Sequence, residues 1–124
     1  MARSAKLSVF VILAMGLLTV LSCRNKPFIP DRQVSFSNDV FPIIGGNCTA
    51  SDCHGAGGRA GELITYDDLM KDGNIVAGNP HASSIYRTIT AQNGSQMPVP
   101  PQSPLTDQQI QTIFIWIEQG AKNN

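Results

Sequence analysis

Two cysteines and a histidine stand within seven consecutive positions of this chain. They are Cys48, Cys53 and His54, in the stretch "NCTASDCHG". The whole sequence of 124 residues contains only three cysteines and two histidines. Thiolates and imidazoles are ligands for transition metals, and thiols also form covalent bonds. This stretch is therefore the first candidate for metal or covalent chemistry.

Three kinds of chemistry use cysteine and histidine at such close spacing. A disulfide between Cys48 and Cys53 is possible in an exported protein, but it gives His54 no role. A zinc site could add His81, yet zinc ligands usually stand two to four residues apart, and adjacent Cys53 and His54 would aim poorly at one tetrahedral ion. In the third, both thiols attach haem as thioethers and His54 binds its iron, for which Cys-x-x-Cys-His is the usual signal. Four residues separate the cysteines here, so the motif alone leaves the disulfide and haem open.

The chain begins like an exported protein. Residues 1–6 carry two positive charges, and residues 7–21 form a largely apolar run of fifteen positions. This pattern is typical of a secretory signal peptide, whereas a transmembrane helix needs about 20 apolar residues. We predict a signal peptide over residues 1–22.

A cysteine follows directly where cleavage of that signal is expected. The sequence Val20-Leu21-Ser22-Cys23 resembles the lipobox of bacterial lipoproteins, in which a peptidase cuts before the cysteine and lipids are attached to it. The alternative is an ordinary exported protein with a spare thiol, but lipidation gives the odd cysteine a role. Acyl chains contribute about 0.8 kcal/mol per buried CH₂, so a multiply acylated Cys23 would anchor the protein to a bacterial membrane. We predict such an anchor, with the domain exported to the periplasm or cell envelope.

Removal of the signal peptide leaves a weakly acidic chain. Nine basic and nine acidic residues balance in the full sequence, and loss of Arg3 and Lys6 leaves seven basic against nine acidic. The remaining basic residues form no cluster, so nucleic acid is not an expected partner. Residues 23–33 contain two prolines and mixed charge, which indicates a tether, and one domain is expected over residues 34–124.

The domain reads as all-α with long loops. The first helix is expected to be short or kinked at Pro42 and to stop at Gly45-Gly46. No stretch alternates in the manner of a strand. The apolar residues of the expected helices are few for a stable core, so folding is expected to depend on a bound cofactor. Helix starts are expected at Ser37, Thr65, Asn79 and Thr106.

The order of these segments resembles a class of bacterial cytochrome c domains. "VSFSNDVFPIIGGNCTASDCHG" looks like their opening, in which a short helix carrying Asp and Phe-Pro-Ile leads into the haem-attachment site. "QMPVPPQSPLTDQQIQTIFIWIEQGAKNN" looks like their ending, with a Met-Pro loop before a helix that closes with Trp-Ile and Gly-Ala. The resemblance runs from about Val34 to Lys122. It implies three to five short helices wrapped around one covalently bound haem c.

The resemblance also implies a role for each candidate residue. Cys48 and Cys53 would hold the porphyrin, and His54 would be the proximal ligand of the haem iron. Met97, which stands 43 residues after His54, matches the distal ligand of the family. The alternative for Met97 is a loop methionine packed on an apolar neighbour. His81 is the competing distal ligand, although its place in the first turn after a proline predicts exposed surface.

An iron whose two axial positions are both filled by protein passes single electrons and has no open site for a substrate. The expected function is therefore a membrane-anchored single-haem cytochrome c that serves transient redox partner proteins and is not an enzyme. One alternative is a haem-free binding lipoprotein stabilised by a disulfide. The other is a haem enzyme or gas sensor with an open distal site, in which Met97 does not bind the iron.

Overall fold

The computed structural model describes residues 30–92 and 94–124. Within these ranges the chain forms four α-helices and no strand, which confirms the prediction of an all-α domain. The predicted signal peptide and the predicted lipidation site, Cys23, lie outside the described residues. No helix in the described ranges has the length and apolar character needed to cross a membrane. The four helices are α1 (Phe41–Asn47), α2 (Tyr66–Asp72), α3 (Ser84–Ile89) and α4 (Asp107–Glu118).

A π-helical turn, Phe36–Val40, runs directly into α1. The backbone N–H of Val40 donates to the carbonyl of Ser35, five residues back, at 3.1 Å. Pro42 then falls in the first turn of α1, where its missing N–H ends the ladder of hydrogen bonds of the π-helical turn. The predicted irregularity at the proline therefore takes the form of a wider turn just before it.

The N-cap of this first helical segment is Ser35, and the prediction of Ser37 is wrong. The Ser35 hydroxyl accepts a hydrogen bond from the backbone N–H of Asn38 at 3.2 Å. The Ser37 hydroxyl instead donates to the carbonyl oxygen of Asn124 at 2.9 Å. The Ser35 hydroxyl also donates to the Asn124 carbonyl, at 2.9 Å, so both serines contact the other end of the chain and only Ser35 caps the helix.

The prediction that α1 stops at Gly45-Gly46 is also wrong, because the helix continues to Asn47. Neither glycine adopts the positive φ of a glycine that ends a helix. The last turn is closed by side chains, since Asn47 Nδ2 donates to the Ile43 carbonyl at 2.7 Å and Thr49 Oγ1 donates to the Gly45 carbonyl at 2.8 Å. These bonds satisfy carbonyls that a helix end otherwise leaves without a partner.

The predicted helix starts at Thr65 and Thr106 are confirmed, and each is a capping box. Thr65 and Asp68 exchange side-chain and backbone hydrogen bonds at the start of α2, and Thr106 and Gln109 do so at the start of α4. Asn79 is also an N-cap, but of a 3₁₀ turn, Pro80–Ala82, that ends before α3 begins.

The core lies where α4 meets the π-helical turn and α2. The Trp116 ring, 1% exposed, has its centroid 5.7 Å from that of Phe36 and 6.4 Å from that of Tyr66. The Phe36 and Tyr66 rings meet edge to face at 5.1 Å. Fifteen apolar residues are buried in this cluster: Val34, Phe36, Val40, Ile44, Leu63, Leu69, Ile75, Ile85, Ile89, Leu105, Ile113, Ile115, Trp116, Ile117 and Ala121.

The end of α4 holds the beginning of the domain. The Gln119 side chain accepts from the backbone N–H of Val34 at 2.8 Å and donates to the carbonyls of Pro30 at 3.3 Å and Arg32 at 3.2 Å. Asn124 Oδ1 accepts from the N–H of Phe36 at 2.8 Å. We call the three hydrogen bonds of the Gln119 side chain the Gln119 clamp. They fix residues 30–34 against α4.

Candidate functional site

One cavity brings together the four residues predicted to bind haem. Cys48, Cys53, His54 and Met97 all line a space of about 280 Å³. Met97 is distant from the other three residues in sequence, so it is the fold that brings the four side chains to one cavity. Most of the wall is apolar, and its apolar members include Ala50, Ala60, Leu63, Ile85, Ile89, Pro98 and Val99.

The stretch that contains Cys48, Cys53 and His54 forms a compact turn directly after α1. The backbone N–H of Cys53 donates to the Ala50 carbonyl at 2.9 Å, and that of His54 donates to the Cys48 carbonyl at 3.2 Å. A Cβ on Gly55 would lie 2.5 Å from the Thr49 carbonyl oxygen, so only glycine fits there. The four residues between the cysteines are thus folded back, and both thiols line the same cavity as the imidazole.

One ring nitrogen of His54 already makes a hydrogen bond. Its Nδ1 lies 2.9 Å from the carbonyl oxygen of Gly61. A carbonyl can only accept, so Nδ1 carries the hydrogen and Nε2 of the neutral ring keeps its lone pair. A histidine that binds a metal usually donates its other N–H in this way, which fixes the ring and makes it a more basic ligand. The half-buried His54 is therefore prepared as a donor through Nε2.

Gly61 makes this bond from a backbone conformation that favours glycine. Its φ is +84°, and a Cβ there would lie 3.2 Å from Asp72 Oδ2. Sequence reasoning did not find this residue. The only signal for it was the richness in glycine of the segment 55–61.

Both cysteines are free thiols, so the alternative disulfide is not formed in this structure. Burial raises the pKa of the Cys48 thiol from 9.0 to about 11, and the nearby Cys53 adds to this rise by charge repulsion. Cys48 is consequently protonated at neutral pH.

Met97 stands at the open side of the cavity, where its side chain is 36% exposed. Its backbone N–H donates to the Thr88 carbonyl at 3.2 Å, and Gln96 Nε2 donates to the Ile89 carbonyl at 3.2 Å. These two bonds tie the methionine loop to the end of α3. A thioether is a soft ligand of the kind that iron accepts in cytochromes.

His81 does not line this cavity. It is exposed, as its position after Pro80 predicts, and its ring packs edge-on against Tyr86 at 5.4 Å and Phe114 at 5.9 Å. Among residues 30–92 and 94–124, no group of three or more His, Cys, Asp or Glu side chains is placed to hold a metal ion. The structure therefore does not bring Cys48, Cys53, His54 and His81 together as a zinc site.

The chain has no match among models of known protein families, among curated proteins or among solved structures. The function proposed below rests on the residues of the site and on the resemblance of the sequence to cytochrome c domains.

Proposed function

We propose that this protein is a membrane-anchored c-type cytochrome that carries single electrons. One haem would be bound covalently in the cavity lined by Cys48, Cys53, His54 and Met97, and a lipid on Cys23 would hold the protein at a bacterial membrane. The observation that carries this proposal is the convergence of two thiols, an imidazole and a thioether on one mainly apolar cavity.

The donor set fits a haem better than it fits a bare metal ion. A porphyrin needs an apolar wall to bury its faces, and this cavity supplies one. The two thiols suit attachment, because each S–H adds across a vinyl C=C with sulfur bonding one carbon and hydrogen the other, so no oxidant is consumed. Cys48 is protonated at neutral pH and brings the hydrogen that this addition requires.

Each residue then has a distinct part. Cys48 and Cys53 would bond the porphyrin, His54 would ligate the iron through Nε2, and Met97 would ligate it through sulfur. The bond from His54 Nδ1 to Gly61 would hold the imidazole in place and increase its basicity. Haem held by histidine and methionine supplies a one-electron iron centre.

Electrons would enter and leave at the open side of the cavity. The exposed residues Met97, Val99 and Gln102 line it there. A redox partner needs only a brief contact at such an edge, and transient contacts of this kind bury less than about 1,200 Å² in total.

A haem stain after denaturing electrophoresis tests the proposal, because only thioether-bound haem stays with the chain. The wild type should stain at its own mass, and Cys48→Ala with Cys53→Ala should not. Cys23→Ser is the matched control: it also removes a thiol, but it should keep the stain and leave the membrane fraction. A wild type without stain, or a double variant that stains like it, would contradict covalent haem at these cysteines. A Cys23→Ser variant that stays with membranes at the mature mass would contradict the lipid anchor.

A further inference from the structure

Two basic side chains from opposite ends of the chain are exposed at one end of the domain. The Arg32 side chain is 72% exposed, and Lys122 is exposed after α4. Hydrogen bonds join the two stretches, because Asn124 bonds to residues 34–37 and Gln119 Nε2 donates to the Arg32 carbonyl at 3.2 Å. We call residues 30–39 and 118–124 together the Gln119 end.

The core fixes the position of Lys122 on this end. Its backbone carbonyl accepts from Trp116 Nε1 at 2.9 Å, and the carbonyl of the preceding Ala121 accepts from the Tyr66 hydroxyl at 2.8 Å. Trp116 is itself buried in the core. The ammonium group of Lys122 therefore extends from a fixed point on the surface.

Charge is divided unevenly between this end and the rest of the chain that follows the predicted signal peptide. Residues 23–39 and 118–124 hold four basic residues against three acidic ones, whereas residues 40–117 hold three basic against six acidic. One of the three acids, Asp39, is paired with Arg32 at 3.1 Å. The four basic residues are Arg24, Lys26, Arg32 and Lys122, and the three acidic ones are Asp31, Asp39 and Glu118.

We propose that the Gln119 end is a docking surface for anionic phospholipid and that it orients the domain on the membrane. This inference rests on the lipid anchor of the proposed function. A tether sets the distance between the domain and the lipid, but it leaves the domain free to turn. An anionic surface attracts each nearby basic residue by an amount equal to about a fivefold change in equilibrium, and it repels acidic residues.

The opposite orientation would bring the acidic residues of 40–117 to the lipid. Charge therefore favours the same end that the tether enters. None of the residues that line the cavity belongs to the Gln119 end, so this orientation leaves the cavity uncovered for a redox partner.

Acetylation of lysines reads out the orientation, because only Lys26, Lys71 and Lys122 follow the predicted signal peptide. The lipidated, haem-bound protein is added to preformed vesicles of phosphatidylcholine, alone or mixed with phosphatidylglycerol, and treated with a neutral acetylating reagent. Mass spectrometry then gives the rate at each lysine. Lys71 is the internal control, because it lies on α2 and its side chain is 83% exposed.

The ratio of the Lys71 rate to the Lys122 rate should be at least about fivefold higher on the anionic vesicles than on the neutral ones. High salt should remove this difference, because it shortens the range of the attraction to about 3 Å at 1 M.

Arg32→Gln removes one positive charge from the Gln119 end and should lower the ratio on anionic vesicles by up to about fivefold. Arg32→Lys keeps the charge and should keep most of the ratio. Arg59→Gln is the matched control: Arg59 is exposed, and its loss changes net charge equally but takes the charge from residues 40–117. Its ratio should not fall below that of the wild type.

Equal ratios on neutral and anionic vesicles would overturn the docking surface, and so would equal falls in Arg32→Gln and Arg59→Gln. A wild type that joins neither kind of vesicle would instead contradict the lipid anchor itself. The failure of this inference and the failure of the proposed function are therefore distinguishable.

Discussion

Trp116 and His54 lie in two different kinds of interior. Trp116 is 1% exposed, and the rings of Phe36 and Tyr66 pack against it. His54 instead faces a cavity of about 280 Å³. Protein interiors are normally packed with few voids larger than a water molecule. One half of this fold is thus filled by its own side chains, whereas the other half surrounds a cavity.

The two halves also differ in what builds them. The core half is formed by the π-helical turn, α2 and α4, whose apolar residues face one another. The cavity half is formed by the segments 48–63 and 94–104, which contain no helix, and by α3, whose buried residues Ile85 and Ile89 line the cavity as well as belonging to the core cluster.

The largest expected effect tests the core half. Trp116→Ala removes its central side chain and should lower the free energy of unfolding by about 3–5 kcal/mol, which denaturant titration measures. Val99→Ala is the control from the cavity half, where the side chain is 41% exposed, and it should change stability by less than about 0.5 kcal/mol. Equal losses in the two variants would remove the distinction between the halves.

The second prediction tests the cavity half. The sequence alone predicts that folding depends on the cofactor. We expect this dependence to be strongest in the segments 48–63 and 94–104, which contribute only Leu63 to the fifteen buried apolar residues. In haem-free Cys48→Ala with Cys53→Ala, amide hydrogens of residues 48–63 and 94–104 should exchange rapidly while those of α4 stay protected. Mass-spectrometric hydrogen exchange measures both. Full protection of the loops, or loss of protection in α4, would show that the halves are not separable in this way.

The third prediction concerns the distal ligand. Met97→Ala should abolish the weak sulfur-to-iron absorption band of the oxidised protein and lower its reduction potential, because a thioether stabilises reduced iron. The vacated position should then bind carbon monoxide. His81→Ala is the control and should change neither spectrum nor potential, because His81 packs on Tyr86 and Phe114 outside the cavity. The reverse pattern would indicate two histidine ligands.

A smaller effect is expected at the backbone that holds His54. Gly61→Ala and Gly57→Ala both place a Cβ at positive φ, so each should cost about 1–2 kcal/mol of stability. Only Gly61 accepts the hydrogen bond from His54, and only its substitution should turn that carbonyl away. Loss of this hydrogen bond makes the imidazole a weaker electron donor to the iron. The reduction potential should therefore rise in Gly61→Ala and stay constant in Gly57→Ala. Equal potentials in the two variants would mean that the bond does not tune the iron.

The smallest effect lies back in the core half, at the π-helical turn. The backbone N–H of Ser35 at 2.8 Å, followed by the Arg32 guanidinium at 3.1 Å, holds the pKa of Asp39 below its ordinary value of 3.8. A carboxyl whose pKa is lowered on folding stabilises the fold above the unfolded value and loses that contribution as pH falls through the folded one. Asp39→Asn should therefore flatten the stability profile below about pH 3.8. Acid titration followed by circular dichroism measures this, and an unchanged profile would show that the bonds contribute nothing to stability.

Local signals predicted the helix starts best. Thr65 and Thr106 each have a partner three residues later, and such pairs can be read from the sequence because both members belong to the same turn. Ser35 was missed because the segment begins with a π-helical turn, in which Val40 bonds back to Ser35, whereas the sequence prediction assumed an α-helix. Ile115 and Trp116 are buried together with Ile113 and Ile117, so α4 is enclosed around more than one of its faces.

The sequence predicted the candidate ligands of the site, but it did not predict the groups that hold those ligands in place. The spacing of Cys48, Cys53 and His54 is local, and Met97 was found only through the resemblance to cytochrome c domains. The Gly61 carbonyl left no readable signal, because a backbone oxygen has no residue type of its own. What orients a ligand is therefore harder to predict than the ligand.

For the lipid-anchored carrier proposed above, the Gln119 clamp would limit how far the domain can move from the membrane. Pro30 is the first residue that the clamp holds, and it follows Cys23 by seven positions. Seven residues span at most about 25 Å when fully extended. With a lipid on Cys23, as proposed, the domain is confined to a layer along the membrane and searches for its partners in two dimensions. Confinement of this kind raises the local concentration of partners held at the same surface. A tether of this length would thus favour electron exchange with redox proteins bound to the same membrane over electron exchange with proteins that diffuse freely in solution.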